Sequence, residues 1–347
     1  MKNKYIEVND DDQIFHILDP YANTKLSTLH GLDLQQIVFL IDQYYLIYRK
    51  KLGFDKKITF GFEIEVEHAN WDDIYESICN LELNDWDLTG DASLDQGAEI
   101  KSPVLHDKKA LWDDLNRICE MLSDKARVGK TTGSHIHVGT QILGSNRQNW
   151  LNLLKIWSVY ENVIYRFLYG EYLTGRPGIK SYAQPVSAKF DVLYQRFVDE
   201  NKKMKKIIHL LNTNIERYSA VNFENVVKKS LNDYKENNTI EFRVANGTIN
   251  PIIWQNNLNM IINMLLYTKD TKFDLDTIDR RRSEIKEHGF NKYLFYDEVF
   301  LDQALEFCDL IFDNNYDKVY FLKQYLKSFE IENKRTNYSK AKELTKK

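Results

Sequence analysis

Alternate residues of an extended strand share a face, and four short stretches of this chain use that rule to gather acids and imidazoles. GFEIEV, 61–66, sends Glu63 and Glu65 one way and Phe62, Ile64 and Val66 the other. GSHIHVG, 133–139, sets His135 and His137 against Ile136 and Val138. TIEFRV, 239–244, places Glu241 beside Arg243, backed by Ile240, Phe242 and Val244, and AEIKSP adds Glu99 with Ile100 turned away. Any one of these is explained by an antiparallel sheet with a solvated polar face. Together they are not, because such faces mix Lys, Thr and Ser with Glu, whereas the pairs here are Glu/Glu, His/His and Glu/Arg. Neighbouring carboxylates repel and gain from a cation between them. Hard divalent cations take oxygen ligands, and magnesium keeps waters and phosphate oxygens in its shell. A metal–phosphate site on a wet sheet face is the expectation.

The elements that must position these residues follow from periodicity. Strands are predicted at 58–68, within 89–103, and at 133–142, 217–223 and 238–249. Helices are predicted at 33–51, 70–83, 108–124, 146–171 and 191–212, and onward from Pro251 to a basic tail, NKRTNYSKAKELTKK. Short strands between long helices, without regular βαβ alternation, give an α+β class: helices behind one mostly antiparallel sheet. The division expected is an N-terminal helical extension at 1–57, a catalytic domain at 58–265 and a C-terminal helical region at 266–347.

Composition narrows the function classes. Lysine plus arginine number 47 against 51 acids, a net charge of −4, which excludes a surface built throughout to grip nucleic acid. The first residues, MKNKYIEVNDDD, carry no apolar stretch, and no apolar run is long enough for a bilayer, so neither a signal peptide nor a membrane partner is expected. Cys79, Cys119 and Cys308 are scattered, without a Cys-x-x-Cys pair. They predict no disulfide framework and a reducing cytoplasm, with Cys79 and Cys119 as buried inert thiols in helices.

Several tempting motifs do not carry weight. VGKTTG, 128–133, lacks the first glycine of a phosphate loop. The stretch from Asp85 resembles a calcium loop but has Thr89 and Gln96 where ligands belong. The lysines at 202, 203, 205 and 206 are expected to form a solvated helix face, with an anionic partner as the alternative, and His209 beside them is expected to be a structural histidine rather than a ligand.

Six blocks in order carry a family resemblance: GFEIE at 61–65, DASLDQGAEIKSP at 91–103, GSHIHVG at 133–139, GRPGIKSYAQP at 175–185, RYSAVNF at 217–223 and TIEFRVANGTIN at 239–250. The series resembles the amidoligases, relatives of glutamine synthetase and γ-glutamylcysteine ligase, over roughly residues 58 to 265. The resemblance implies a curved antiparallel sheet of the glutamine synthetase type and an ATP- and Mg2+-dependent carboxylate–amine ligase with two metal ions. It implies Glu63, Glu65, Glu99, His135 and Glu241 as metal ligands, and His137 as a phosphate or substrate contact. Arg243 then binds phosphate, while Arg176 and Arg217 bind ATP or a substrate carboxylate. Ala92 and Ser134 depart from the family pattern without removing a ligand. The implied substrates are a small or peptide carboxylate and an amine, the implied route runs through an acyl phosphate, and an oligomer is compatible with all of this. Asp91 is either the base for the amine or a turn residue. Two rival readings are a zinc or manganese hydrolase using His135-x-His137, and a non-catalytic binding protein on the same fold.

Overall fold

A computed structural model of the chain describes residues 22–28, 46–129, 131–169, 179–227, 231–232, 237–288 and 299–326. Six strands form one sheet: β1 Phe60–Val66, β2 Asp87–Thr89, β3 Ala98–Lys101, β4 Gly133–Gly139, β5 Val221–Asn222 and β6 Thr239–Asn246. Their order is β2-β3-β1-β4-β6-β5, and every paired neighbour is antiparallel. The α+β class is as expected.

Alternation decides which face meets the helices. Phe62, Ile64, Val66, Ile100, Ile136, Val138, Ile240, Phe242 and Val244 are all buried on one side. Against them lie α2 (Lys109–Lys125), α3 (Arg147–Tyr169) and α7 (Pro251–Tyr267); the short α1 (Trp71–Asn80) follows β1. The packing is aromatic: Trp112 stacks on Phe60 at 5.4 Å, Trp254 meets Phe62 at 4.9 Å and Trp157 meets Phe242 at 5.8 Å between ring centres. Burying each such side chain contributes about 1.5–3 kcal/mol. Asn250 caps α7 by accepting from the Ile252 N–H, and Pro251 occupies a first-turn position where its missing N–H costs nothing.

Between the sheet strands, α4 (Ile179–Tyr182), α5 (Ser187–Asp199) and α6 (Met204–Asn214) precede β5, and α8 (Leu275–His288), α9 (Val299–Ile311) and α10 (Asn315–Tyr325) follow α7. The two ends of the described chain meet. Asp309 of α9 accepts from the backbone N–H groups of Leu26 and Ser27, at 3.0 and 2.8 Å, and from Lys318 Nζ at 2.7 Å. Lys318, fully buried, also donates to Asn23 Oδ1 and the Thr24 carbonyl. Arg49 is sandwiched between Tyr316 and Tyr320, 4.2 and 4.1 Å from the ring centres, and pairs with Asp317 at 2.6 Å.

Three expectations change. The helix predicted over 33–51 is absent from 46–51, and 33–45 lie outside the described residues. There the Gln255 side chain bonds both the N–H and the C=O of Arg49, groups a helix would have used itself. The single helix over 191–212 is two, α5 and α6. Asn201 turns the chain with a φ of +42°, and the Arg147 guanidinium takes the Phe197 and Lys202 carbonyls at the break. Cys79 is exposed rather than buried, because α1 buries only Ile74 and Ile78 and the next residue lies about 100° round the helix. Cys119 and Cys308 are buried thiols. The basic tail lies outside the described residues. Among the described residues, no helix is long and apolar enough to cross a membrane.

Candidate functional site

The other sheet face gathers the predicted residues in register. Glu65 pairs with Glu99 across β1 and β3, Glu63 with His135 across β1 and β4, and His137 with Glu241 across β4 and β6. Between Ser134 and Ile136 the β4–β6 register shifts by one, so that Arg243 and Val244 together face His135. Such a bulge re-aims side chains, and here it accompanies the turn of Arg243 back onto Glu241. The expectation of a wet face is corrected. Glu65, Glu99, His135 and Glu241 are buried, while Glu63 and His137 keep about a fifth of their side chains exposed.

Distances define the centre. His135 Nδ1 lies 2.8 Å from Glu63 Oε2 and 3.7 Å from Glu241 Oε1, and its Nε2 lies 3.4 Å from Glu65 Oε1. His137 Nε2 is 3.2 Å from Glu63 Oε1, while its Nδ1 is 3.1 Å from Thr239 Oγ1. Two groups of potential metal ligands result, Glu63–His135–Glu241 and Glu65–Glu99–His135, each with donor atoms within 4.8 Å of one another. His135 belongs to both. Arg243 Nη1 donates to Glu241 Oε1, and its Nε donates to the Tyr182 carbonyl at 3.3 Å.

The electrostatics are those of acids crowded together. Burial would raise Glu63, but the hydrogen bonds and charges of His135 and His137 outweigh it and hold the carboxyl far below its ordinary range. Glu241 is burdened by burial too, yet His135, Arg243 and His137 keep it low. Glu99 goes the other way: burial and the Glu63 charge raise it despite Lys101. Burial alone would lower His137, but Glu63 and Glu241 raise it. Oxygen-rich donors with one shared imidazole, carrying more negative than positive charge, fit hard divalent cations better than they fit zinc, which favours thiolate and several imidazoles.

Four residues outside the predicted set hold the centre in place. Asn222 Nδ2 donates to Glu241 Oε2 at 2.8 Å, and Thr89 Oγ1 donates to Glu99 Oε2 at 3.1 Å. Lys101 Nζ pairs with that same Glu99 oxygen at 2.9 Å. Glu67 accepts from the Thr131 N–H at 2.8 Å and from its hydroxyl, fixing the segment whose Gly133 N–H donates to Glu65. The signals were in view: Glu67 continues the alternation of Glu63 and Glu65, Lys101 follows Glu99 at the same spacing, and Asn222 sits in RYSAVNF. Thr131 and Gly133 of VGKTTG are thus part of this support.

Other candidates fall elsewhere. Arg217 is exposed, its guanidinium 5.9 Å from the Tyr218 ring, with no ion pair to the carboxylates. Arg176 lies outside the described residues. Asp91 is a turn residue, its side chain accepting from the Ser93 N–H at 2.7 Å. His209 is exposed on α6. A cleft of about 430 Å³ opens beside Glu63 and His137, lined also by Gly61, Phe62, Lys101, Ser102, Val104, Asn225, Asn237 and Thr239.

Compared with known proteins, residues 56–264, more than half of the chain, match the family described as "putative amidoligase enzyme". The chain belongs to the amidoligase family. The matched stretch takes in Glu63, Glu65, Glu99, His135, His137, Glu241 and Arg243, and membership makes this amidoligase an enzyme of the amide-forming kind. None of the curated proteins compared with the chain matches it.

Proposed function

We propose that this amidoligase is an ATP- and Mg2+-dependent carboxylate–amine ligase of the cytoplasm, built on a glutamine synthetase-like catalytic sheet. The observation that carries the reading is the convergence of four carboxylates on one buried imidazole, in two ligand groups beside an open cleft. Glu65 and Glu99 would hold one magnesium ion and Glu63 and Glu241 the other, with His135, whose neutral imidazole offers a single lone pair, a ligand of one of them. Magnesium supplies the positive charge that lets an anionic carboxylate approach the γ-phosphorus of ATP.

The chain's own residues then do the positioning that phosphoryl transfer demands. Arg243, fixed between Glu241 and the Tyr182 carbonyl, presents its remaining donors to the transferring phosphoryl group. His137, held by Thr239 and 3.2 Å from Glu63, donates to a phosphate or substrate oxygen at the cleft. Arg217 and Arg176 act further out, on ATP or on the acceptor's carboxylate. A carboxylate oxygen of the acceptor bonds to the γ-phosphorus as ADP leaves; the amine then attacks the acyl carbon, and phosphate leaves as the amide forms. Exclusion of water by the burial of this face protects the acyl phosphate from hydrolysis.

Incubating the purified chain with ATP, MgCl2, a panel of amino acids and peptides as acids, and hydroxylamine should trap the activated acid as a hydroxamate with ADP and phosphate released. AMP and pyrophosphate as products would overturn the mechanism even if an amide formed.

A further inference from the structure

Lys101 joins the candidate metal ligands to the cleft. It follows Glu99 by two residues on β3, so both side chains share the buried polar face. Its Nζ sits 2.9 Å from Glu99 Oε2, the oxygen that already accepts from Thr89 Oγ1 at 3.1 Å. Register places it beside Glu63 on one side and Asp87 on the other. Its side chain is 39% exposed where that of Glu99 is 10%, and among the described residues lining the cleft it is the only lysine or arginine. The ammonium therefore faces three acids, Glu99, Glu63 and Asp87, from the floor of an open cavity.

A carboxylate oxygen engaged by an ammonium and a hydroxyl is a poor ligand for a metal. A cation entering the Glu65–Glu99–His135 group must compete with the lysine for Glu99. Once it does, the ammonium is released on a flexible four-carbon stem, next to a cleft with room for an anionic ligand. We propose that Lys101 is a placeholder cation: it neutralises Glu99 in the metal-free chain, and on metal loading it transfers its charge to a phosphate or carboxylate group of the ligand in the cleft. It is a binding residue for that anion, and it makes metal loading and anion binding mutually favourable. The inference rests on the proposed magnesium and ATP chemistry of this site.

Calorimetric titration of the full chain with MgCl2 alone, and then with ATP at saturating magnesium, separates the possibilities. Lys101→Met should bind magnesium about threefold or more tighter in the absence of nucleotide, and ATP about tenfold weaker in its presence. Lys101→Gln gives the same readout should the methionine variant fail to fold. Unchanged affinities, or a parallel loss of both, would overturn the placeholder role, the second by assigning Lys101 a structural one. If the unsubstituted chain itself bound no magnesium, the ligase reading would fall and the placeholder with it. If it bound both ligands normally and Lys101→Met did too, the ligase reading would stand alone.

Discussion

Two buried charge clusters in this amidoligase are balanced in opposite ways. Where the chain's ends meet, anion and cation are matched: Asp309 with Lys318, Asp317 with Arg49, with leftover donors of Lys318 on Asn23 and Thr24. On the sheet face, Glu63, Glu65, Glu67, Glu99 and Glu241 meet Lys101, Arg243 and two histidines, and acids press on one another. A buried ion pair holds its place when each charge has its partner, and breaking it strands one. A surplus of buried acid does not contribute in that way. On the proposed reading, a divalent cation from outside the chain would complete it.

The comparison breaks most visibly at the matched cluster. Lys318→Met should lower stability by about 3–5 kcal/mol in urea unfolding, because Asp309 would be left charged and buried. An unchanged midpoint would show that the cluster is not the balanced pair its distances imply. On the apolar side of the sheet, Ile64→Ala should cost about 2–5 kcal/mol through the cavity it opens, with metal affinity retained in the folded fraction. At the unbalanced cluster, Glu99→Gln should do the reverse. Turnover should fall about 10²–10³-fold, while the melting temperature of the metal-free protein stays level or rises, since burial and Glu63 already disfavour the ionised carboxyl. A large loss of stability there would refute the surplus.

The smallest expected effect concerns acid. Glu306 is burdened by burial, but hydrogen bonds from Arg281 and Tyr160, with Arg280, hold it below its ordinary value near 4.5. A carboxyl depressed in the folded state contributes stability that is complete above about pH 4.5 and lost as pH falls through the depressed value. Wild-type stability should therefore decline on acidification in that range, and the decline should be shallower in Glu306→Gln. Equal slopes in the two proteins would exclude Glu306 as a source of the acid sensitivity.

What was legible in the sequence, and what was not, divides along the same line. The i, i+2 rule is local, so Glu63, Glu65, His135, His137, Glu241 and their apolar backing could be read from one dimension, and the register brings them together as that rule requires. Burial of the polar face could not, because it depends on tertiary contacts such as Thr131 with Glu67 and Arg243 with the Tyr182 carbonyl. The matched cluster was wholly out of reach: Asp309, Lys318 and Arg49 lie in ordinary amphipathic or irregular sequence and acquire meaning only from partners far away. Gln255 unmaking a helix at Arg49, and Arg147 taking the Phe197 carbonyl where α5 ends at Asp199, are further cases of a distant side chain overruling local propensity.

The bond from Leu26 N–H to Asp309 spans 283 residues of chain, and that separation orders events during synthesis. Every strand of the sheet has been made by Asn246, so the strands can pair while Asp309 and Lys318 have yet to leave the ribosome. Leu26 and Ser27 wait through that interval for Asp309 to be made. Closing so long a loop is entropically little worse than closing one half as long, by about 0.6 kcal/mol. The delay is therefore a matter of timing more than of cost, and the seam joining the two ends is among the last parts of the described fold that translation allows to form.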